Sequence, residues 1–563
     1  EQTTQLAETV VVSTGYLRLS RERSTAAFGF VDSTKLNRVM HRDLVSALEG
    51  QVAGLRMDIN PNTGESNPIL RGIGTFSNSV GTKPLIVVDD MATDLNLNDI
   101  NPYDVESVTV LKDAAAASIY GALAANGVIV LTTKQGKTDK TTVNVNADWF
   151  ISTKPSFDAM HYASTSDIID YETKVYNARV ASSGSVRTLF DTYGNNYYSP
   201  LYQLYRDQAE GRITQADVDQ TLSQWRQNDF YSQYRDLAWR SAVTQRYNIS
   251  LSQKSQQSNH FASFNYEHDK NRIKNDHNDI FSIYLKSNFQ VAKWLNIKLG
   301  IDTRFNNSQT PDGSYTQYNM QERYAAIEDA QGNRVYTPYV NVAGFAGSAI
   351  NGTRIREVQE QQVEGLMPYS FNVLESLDES LTRNRNVRMR PFLNMEAKFL
   401  KMFKYNVMFQ YEWSQTRSEQ YDDPTTYQMR LTHNAFIEPT GECLLPEGGR
   451  YFQQTNNSRR YTFRNQLNFD KSFLDSKHNV DAIMGFELRE NRSPRLIQQL
   501  MYGYNDTALT SVRMDWQSLY NEGWQSLVYN GTQRMSGLPT SQSEVFHRYA
   551  SFYANVGYNY LYR

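Results

Sequence analysis

Apolar and polar residues alternate one for one along much of this chain. Val143, Val145, Ala147, Trp149 and Ile151 stand between Asn144, Asn146, Asp148 and Ser152. A period of two puts each set on its own face of a β-strand. Tyr247, Ile249 and Leu251 repeat the pattern against Asn248, Ser250 and Ser252, while Ala262, Phe264 and Tyr266 share a face, as do Phe281, Ile283 and Leu285. It is sharpest where Leu295, Ile297, Leu299 and Ile301 alternate with Asn296, Lys298, Gly300 and Asp302. Similar runs lie at 389–397, 405–413, 462–469, 480–488 and 548–560. The pattern predicts about ten strands of one kind.

The first 137 residues are patterned differently. Residues 1–7 are a polar arm, and Glu8, Thr9, Val10, Val11 and Val12 make an acidic lead into a short β-branched run. Residues 43–54 read as an amphipathic helix with Leu44, Ala47, Leu48 and Val52 on one face, stopped by Gly54. Strands are predicted at 55–59, 69–73 and 85–88, with turn-forming residues at 60–64 and polar loops at 75–83 and 89–98. Next come a strand at 107–111, an Ala-rich helix at 113–120 with Asp113 as N-cap and Gly121 as its stop, and an Asn126-Gly127 turn. Val128 to Thr133 is a continuous β-branched run, as in a strand buried on both faces. Four consecutive alanines let the helix lie close to the sheet, so this is a small, crowded α+β unit.

Alternation alone does not say which face is wet. A soluble sandwich turns its apolar face inward, whereas a lipid-embedded barrel turns it outward. The connections discriminate. Short turns at 254–259, 289–294, 399–403 and 470–478 alternate with long insertions at 153–245, 307–386, 414–460 and 489–547; only the 269–279 loop is of modest length on the long side. Short turns at one end and long loops at the other belong to an outer-membrane barrel. On this reading Leu299 and Ile301 face lipid and reject charge, whereas charge at Lys298 or Asp302 is tolerated.

Composition agrees. Hydrophobic residues are 40% of 563, and mean hydropathy is −0.61. No stretch approaches the ~20 apolar residues of a membrane helix. The 37 Tyr, 26 Phe and 7 Trp suit interfacial girdles. A net charge of −3 gives no reason to expect nucleic acid. Cys443 has no partner cysteine, the eight His are scattered, and no HExxH, Walker or GxSxG motif occurs. Gly72-Ile73-Gly74 lacks the third glycine and following helix of a dinucleotide site. No cofactor, no metal site and no enzymatic activity are expected.

The segments around Glu8–Val12, Ala47-Leu48-Glu49-Gly50-Gln51-Val52-Ala53-Gly54-Leu55, Arg71-Gly72-Ile73-Gly74, Pro84-Leu85-Ile86-Val87-Val88-Asp89 and residues 101–137 closely resemble the plug domain of SusC/RagA-like TonB-dependent outer-membrane transporters. Two departures are Asp90, where that family usually has Gly, and Leu123, where it often has Arg.

The resemblance implies an arm with a candidate TonB box at 1–12, a plug at 13–137, and the first part of a transmembrane β-barrel with long extracellular loops at 138–563. It implies about 22 antiparallel strands when complete, around an α+β plug. Ten strands do not enclose a plug of this size, so the rest of the barrel is expected from sequence beyond these residues. It further implies a Gram-negative, Bacteroidota-like outer membrane, a SusD-like lipoprotein, TonB with ExbB and ExbD, and pairs of SusC–SusD pairs. Import of an oligosaccharide is the expected task. Peptide, siderophore or cobalamin import and a non-transporting surface receptor are the alternatives. Glu8 to Val12 reads either as the coupling segment or as an ordinary first plug strand. Phe76, Asn78, Asp90, Asp94 and Asn96, in the plug loops, are substrate-contact candidates or solvated turn formers.

Overall fold

The computed structural model describes residues 11–13, 18–20, 28–36, 38, 40–59, 66–70, 83–93, 95–112, 120, 124–192, 199–337, 358, 363–474, 477–529 and 531–560. Each of the ten alternating runs is a long strand. In chain order the strands of the first part are β1 (Val11–Ser13), β2 (Arg18–Ser20), β3 (Phe28–Asp32), β4 (Leu55–Ile59), β5 (Ser66–Leu70), β6 (Leu85–Val88), β7 (Met91–Thr93), β8 (Val105–Leu111) and β9 (Val128–Thr133). The long strands are β10 (Thr142–Ser152), β11 (Ala242–Lys254), β12 (Ser258–Lys270), β13 (His277–Ala292), β14 (Leu295–Pro311), β15 (Leu381–Phe399), β16 (Phe403–Asp422), β17 (Gly449–Phe473) and β18 (His478–Tyr504). After the short β19 (Trp524–Ser526), β20 (Gly531–Gln533) and β21 (Thr540–Ser543) comes the tenth, β22 (Phe546–Tyr560).

Each of β10 to β18 pairs antiparallel with its sequence neighbour, and β21 and β22 both pair with β18. The wall this makes is inverted relative to a soluble sheet. Val145 and Ile151 on its apolar face are each 69% exposed, while Asn248 and Thr462 on the polar face are 0% exposed. Alternation therefore places the apolar side outward and the polar side against other parts of the protein. Leu299 lies outward at 45% exposure. Leu299→Arg is expected to destabilise insertion by about 2–4 kcal/mol if it sits near the bilayer midplane. Folding yields in lipid vesicles for Leu299→Arg and an exposed loop control measure this, and equal yields would contradict the outward assignment. The inner side is less permissive than the sequence suggested. Asp302 is ion-paired at 3.2 Å with buried Arg390, so replacing it with a cation would bury an unpaired pair of like charges.

The strands lengthen from 11 residues in β10 to 27 in β18, or from about 36 to about 90 Å at ~3.3 Å per residue. Crossing an apolar band of ~25 Å needs only ~10 tilted residues. The upper strands therefore continue above the band, into segments 307–386, 414–460 and 489–547 that the sequence suggested were insertions. The apolar alternation stops at the lipid boundary, but backbone pairing does not need it. The 153–245 insertion is also not an irregular loop. It forms helices Thr165–Ser183, Val186–Thr192, Pro200–Ala209, Gln215–Trp225 and Phe230–Ala238. Two begin with capping boxes, Ser164 with Asp167 and Thr214 with Asp217. Phe230, Tyr234 and Trp239 from this insertion pack with Tyr315, Phe371 and Tyr427 from two others, which makes the long connections one capping layer.

The plug is a five-stranded sheet in the order β3-β8-β9-β6-β7, with only the β6–β9 pair parallel. Val31, Leu44, Leu48, Val108, Val110 and Ile129 form its core. β9 is buried along nearly its whole length, as its unbroken apolar run predicted. The helix expected at 43–54 is the shorter Leu44–Leu48, capped by the Asp43 side chain on the Ser46 N–H. Gly50 and Gly54, both with positive φ, turn the chain away earlier. The polar loop expected at 89–98 contains β7, because Asp89 and Asp90 make a two-residue hairpin turn that sends the chain back along β6. The strand expected at 69–73 begins earlier, as β5, and among the described residues pairs only with β4; residues 71–73 lie outside the described residues. So do residues 113–119 of the Ala-rich helix. Gly127 takes φ +86° in the turn before β9, a conformation that suits glycine.

Candidate functional site at the plug and wall interface

The polar side of the wall is where plug and strands meet. Its bonds come from eight adjacent strands. Strands sit about 4.8 Å apart, so a wall that touches one small domain from all eight must curve around it. The contacts begin at the hairpin turn between β6 and β7. Asp89 and Asp90 have φ of 48° and 74°, the positive values of a primed two-residue turn. The position of Asp90 is one where glycine fits without strain.

Asp89 reaches back into the structure. Its carboxylate accepts from the Thr133 N–H at 3.0 Å, the Thr133 hydroxyl at 2.5 Å, the Tyr284 hydroxyl at 2.8 Å and the Lys286 ammonium at 3.1 Å. The side chains of Asp89 and Lys286 are 6% and 3% exposed. Burial works against the Asp89 charge, but the ammonium groups of Lys286 and Lys298 and the Thr133 hydrogen bonds outweigh it and hold the carboxyl well below the usual carboxylate range. A plug carboxylate and a wall cation thus form one buried, charged latch.

Further bonds run around the curve. Arg464, buried on β17 and paired with Glu487 at 2.6 Å, donates to the Asp90 carbonyl at 2.8 Å. Thr93 donates to Glu412 at 2.6 Å, and Glu412 pairs with Arg460 at 3.2 Å. Asp99 is held by Arg304 at 2.6 Å and by Arg388 at 3.1 Å. The Tyr103 hydroxyl donates to Asp148 at 2.6 Å. On the other flank Arg246 donates to the His41 carbonyl at 3.3 Å and to that of Arg42. At the chain's crossing from plug to wall, the Gly136 N–H and carbonyl bond the Asn259 amide at 2.7 and 3.0 Å. A Cβ on Gly136 would lie 2.3 Å from the Gln253 backbone, so that approach requires glycine.

The bonds named across this interface are all polar, although Phe261 and Met408 are also buried on the wall's inner side. Apolar packing resists sliding because separated surfaces re-expose area to water. Hydrogen bonds can be exchanged for water at a small net cost each. The arrangement holds the plug in register while leaving its bonds replaceable one by one.

Asp104 is the exception among the carboxyls. It is buried, and its Oδ1 has no partner. Burial pushes it up to about 7, with Asp302 adding to the shift against hydrogen bonds from Ser263 and Asn101. The unfolded carboxyl ionises near pH 4, so the folded state binds the extra proton between about pH 4 and pH 7. Stability therefore falls as pH rises through that window. Asp104→Asn is expected to remove that fall. Melting curves at pH 5 and pH 8 check this, and an unchanged pH dependence in the variant would contradict it.

The sequence-derived candidates divide. Glu8, Thr9 and Val10 lie outside the described residues, whereas Val11 and Val12 are in β1, paired with Ser20 and Leu19 of β2 in a ribbon separate from the plug sheet. Phe76, Asn78 and Asp94 also lie outside the described residues. Asp90 is half-buried at the wall, with its carbonyl taken by Arg464. Asn96 is exposed and accepts from the Lys83 ammonium at 3.3 Å. Sequence reading missed Asp89, Thr133, Lys286, Glu412 and Arg464. The available signal was charge on the polar face of strands whose other face is apolar.

Residues 20–128 match the family model described as TonB-dependent Receptor Plug Domain. TonB-dependent receptor P39 of Formosa agariphila is 23% identical over 558 residues, covering 99% of this chain and 44% of that relative. TonB-dependent receptor SusC of Bacteroides thetaiotaomicron is 34% identical over 142 residues, 24% of this chain and 14% of that one. The chain thus spans less than half the length of these curated relatives. Among solved structures, the RagAB peptide importer in its closed-closed state superposes with a TM-score of 0.67 at 19% identity, covering 95% of this chain and 53% of that chain. That likeness extends the shared fold over both plug and wall. Residues 20–128 thus carry a TonB-dependent receptor plug domain, and the chain is similar to SusC-like TonB-dependent receptors, its plug set against an antiparallel wall of strands.

Proposed function

We propose that the protein imports an oligosaccharide across the outer membrane, driven by TonB with ExbB and ExbD and covered by a SusD-like lipoprotein, two such pairs assembling together. The observation that carries the substrate class is the wall above the plug. There the face that bears Asp302, Arg388, Glu412 and Arg460 lower down changes to amides and hydroxyls: Asn306, Asn386, Thr416 and Asn456 lie in one register row. The Asn386 amide donates to the Thr416 hydroxyl at 2.6 Å, while the buried Oδ1 atoms of Asn306 and Asn456 have no partner. Ser308, Asn384, Ser418 and Gln454 make the next row. A neutral, hydroxyl-rich ligand can trade hydrogen bonds with such a surface without bringing charge into it.

In this mechanism substrate bound between plug loops and wall frees the amino-terminal segment for TonB. TonB pairs with Glu8 to Val12 by strand addition and pulls, exchanging the polar plug bonds for water until a path opens. Both outer strands of the wall, β10 and β22, have one free edge among the described residues, and in lipid such an edge needs a partner strand.

Peptide import is the second reading, favoured by the RagAB likeness, since backbone amides also suit an amide-lined wall. Growth of a deletion strain on single defined oligosaccharides and on peptides tests the proposal. Loss of growth on one oligosaccharide is expected; loss on peptides alone would replace the first reading with the second, and loss only under iron or cobalamin limitation would overturn both.

A further inference from the structure

The outward side of the wall carries a second pattern, just above its apolar band on the side of the long connections. On β15 to β18 and β22 the alternation puts Arg383, Arg385, Arg417, Arg459, Arg492 and Arg548 on this lipid-facing side, all exposed. Among the described residues Glu419 opposes Arg383 and Glu490 opposes Arg548. Two cross-strand pairs set arginine directly opposite arginine: Arg385 with Arg417, and Arg459 with Arg492. Like charges opposite one another destabilise a sheet. The two pairs stand on adjacent strand pairs, offset by four residues because Arg417 lies opposite Thr455 and Arg459 opposite Trp413. Each is relieved by an anion between its members.

The carboxylates present are already shared. Glu490 accepts from Arg492 at 2.8 Å and from Arg548 at 2.6 Å, and Glu419 accepts from Arg417 and the Tyr451 hydroxyl, each at 2.6 Å. Arg385 and Arg459 have no side-chain hydrogen bond among the described residues. Directly below lie the aromatic and apolar residues of the band: Trp413 opposite Arg459, then Tyr411 and Tyr461, then Phe409 and Phe463. The same row on β11 to β13 is different. There Gln245, His268 and Asp279 follow one another, and Asp279 accepts from the Tyr266 hydroxyl at 2.9 Å and sits 2.8 Å from His268 Nδ1. The cationic surface belongs to one sector of the wall.

We propose that this sector binds the phosphate groups of a phosphorylated glycolipid of the outer leaflet. Guanidinium forks take phosphate oxygens two at a time, and a phosphate between Arg459 and Arg492, or between Arg385 and Arg417, removes their repulsion. The acyl chains of the same lipid would then lie along Tyr461, Phe463 and the apolar rows beneath. The occupant is a lipid because the cations continue directly into the lipid-facing band and stand on the side of the wall away from the plug. The inference rests on the outer-membrane wall and is independent of what the protein imports.

The test uses protein extracted from outer membranes and exchanged into detergent micelles, titrated with lipid A, with dephosphorylated lipid A and with inorganic phosphate. Retained lipid is read by native mass spectrometry. Wild-type protein is expected to bind lipid A at least tenfold more tightly than the dephosphorylated form, and Arg385→Gln/Arg417→Gln/Arg459→Gln/Arg492→Gln to lose that preference. Lys293→Gln/Lys471→Gln, altered at the short-turn end, should keep it. Intrinsic fluorescence melting verifies that each variant is folded, and the paired variants Arg385→Gln/Arg417→Gln and Arg459→Gln/Arg492→Gln give smaller losses if the quadruple one folds poorly. Equal binding of both lipids, unchanged binding by the quadruple variant, or full competition by equimolar inorganic phosphate would overturn the proposal. So would a quadruple variant that changes oligomeric state with its lipid retained, which would mark the face as a protein interface.

Discussion

Deletion of Glu8 to Val12 is expected to abolish uptake while leaving the protein in the outer membrane at normal abundance. The physical reason is how little of the plug depends on this end of the chain. Among the described residues Val11–Ser13 pairs only with Arg18–Ser20, three residues against three, in a ribbon that is not joined to the five-stranded sheet. Among the described residues, none before Val31 belongs to the main plug core. A two-stranded ribbon of this size is marginal by itself, which suits a segment that must change partners. On the mechanism proposed above TonB would pair with this segment by strand addition, and a protein without it would transmit no pull to the plug. Substrate uptake and surface immunodetection, measured together, check this. Full transport by the deletion would remove the coupling role, and loss of the protein from the membrane would make the run a structural plug strand.

The second large effect is expected at the Asp89–Lys286 latch. Asp89→Ala leaves the Lys286 ammonium buried with the Thr133 carbonyl and hydroxyl as its remaining bonds. Removing one partner of a buried pair typically costs about 3–5 kcal/mol, because an uncompensated charge stays behind. Lys286→Met is expected to act in the same direction but less strongly, since the Asp89 carboxylate keeps its Thr133 and Tyr284 hydrogen bonds while losing its ion-pair partner. The pair Asp89→Asn with Lys286→Met should cost much less than the two single changes together, since it leaves no unpaired charge. The barrel wall does not need to unfold for this to be seen. Amide hydrogen exchange along β6, β7 and β9 reports opening of the hairpin, and the single variants are expected to exchange about a hundredfold faster or more there. Additive single effects, or unchanged exchange, would show that the latch does not hold the hairpin.

Sequence reading located these groups unevenly. The ten wall strands were visible because lipid outside and a polar interior inside enforce a period of two, and β9 was visible because a doubly buried strand must be apolar throughout. The short turns were visible because each pair of alternating runs left only a few residues between them. Beyond the lipid boundary that constraint ends. The outer halves of β14 to β18 carry polar residues on both faces, so nothing in hydropathy separates them from loops. The helices of 153–245 carried local signals, such as the capping pair Ser164 with Asp167 and the i, i+4 spacing of Phe230, Tyr234 and Ala238, that a search for period-two alternation passes over.

By itself, the sequence determined the inverted wall, the side of it that carries long connections, the buried plug strands and the plug family, because each follows from local periodicity or from a run of ordered residues. The tertiary structure alone decided which polar residues meet. Asp89 lies 197 positions from Lys286 and Asp90 lies 374 from Arg464. Nothing local to either member of such a pair specifies the other. Only the wrapping of the wall around the plug brings them together, and the low-dielectric interior then makes each pairing strong and each missing partner costly.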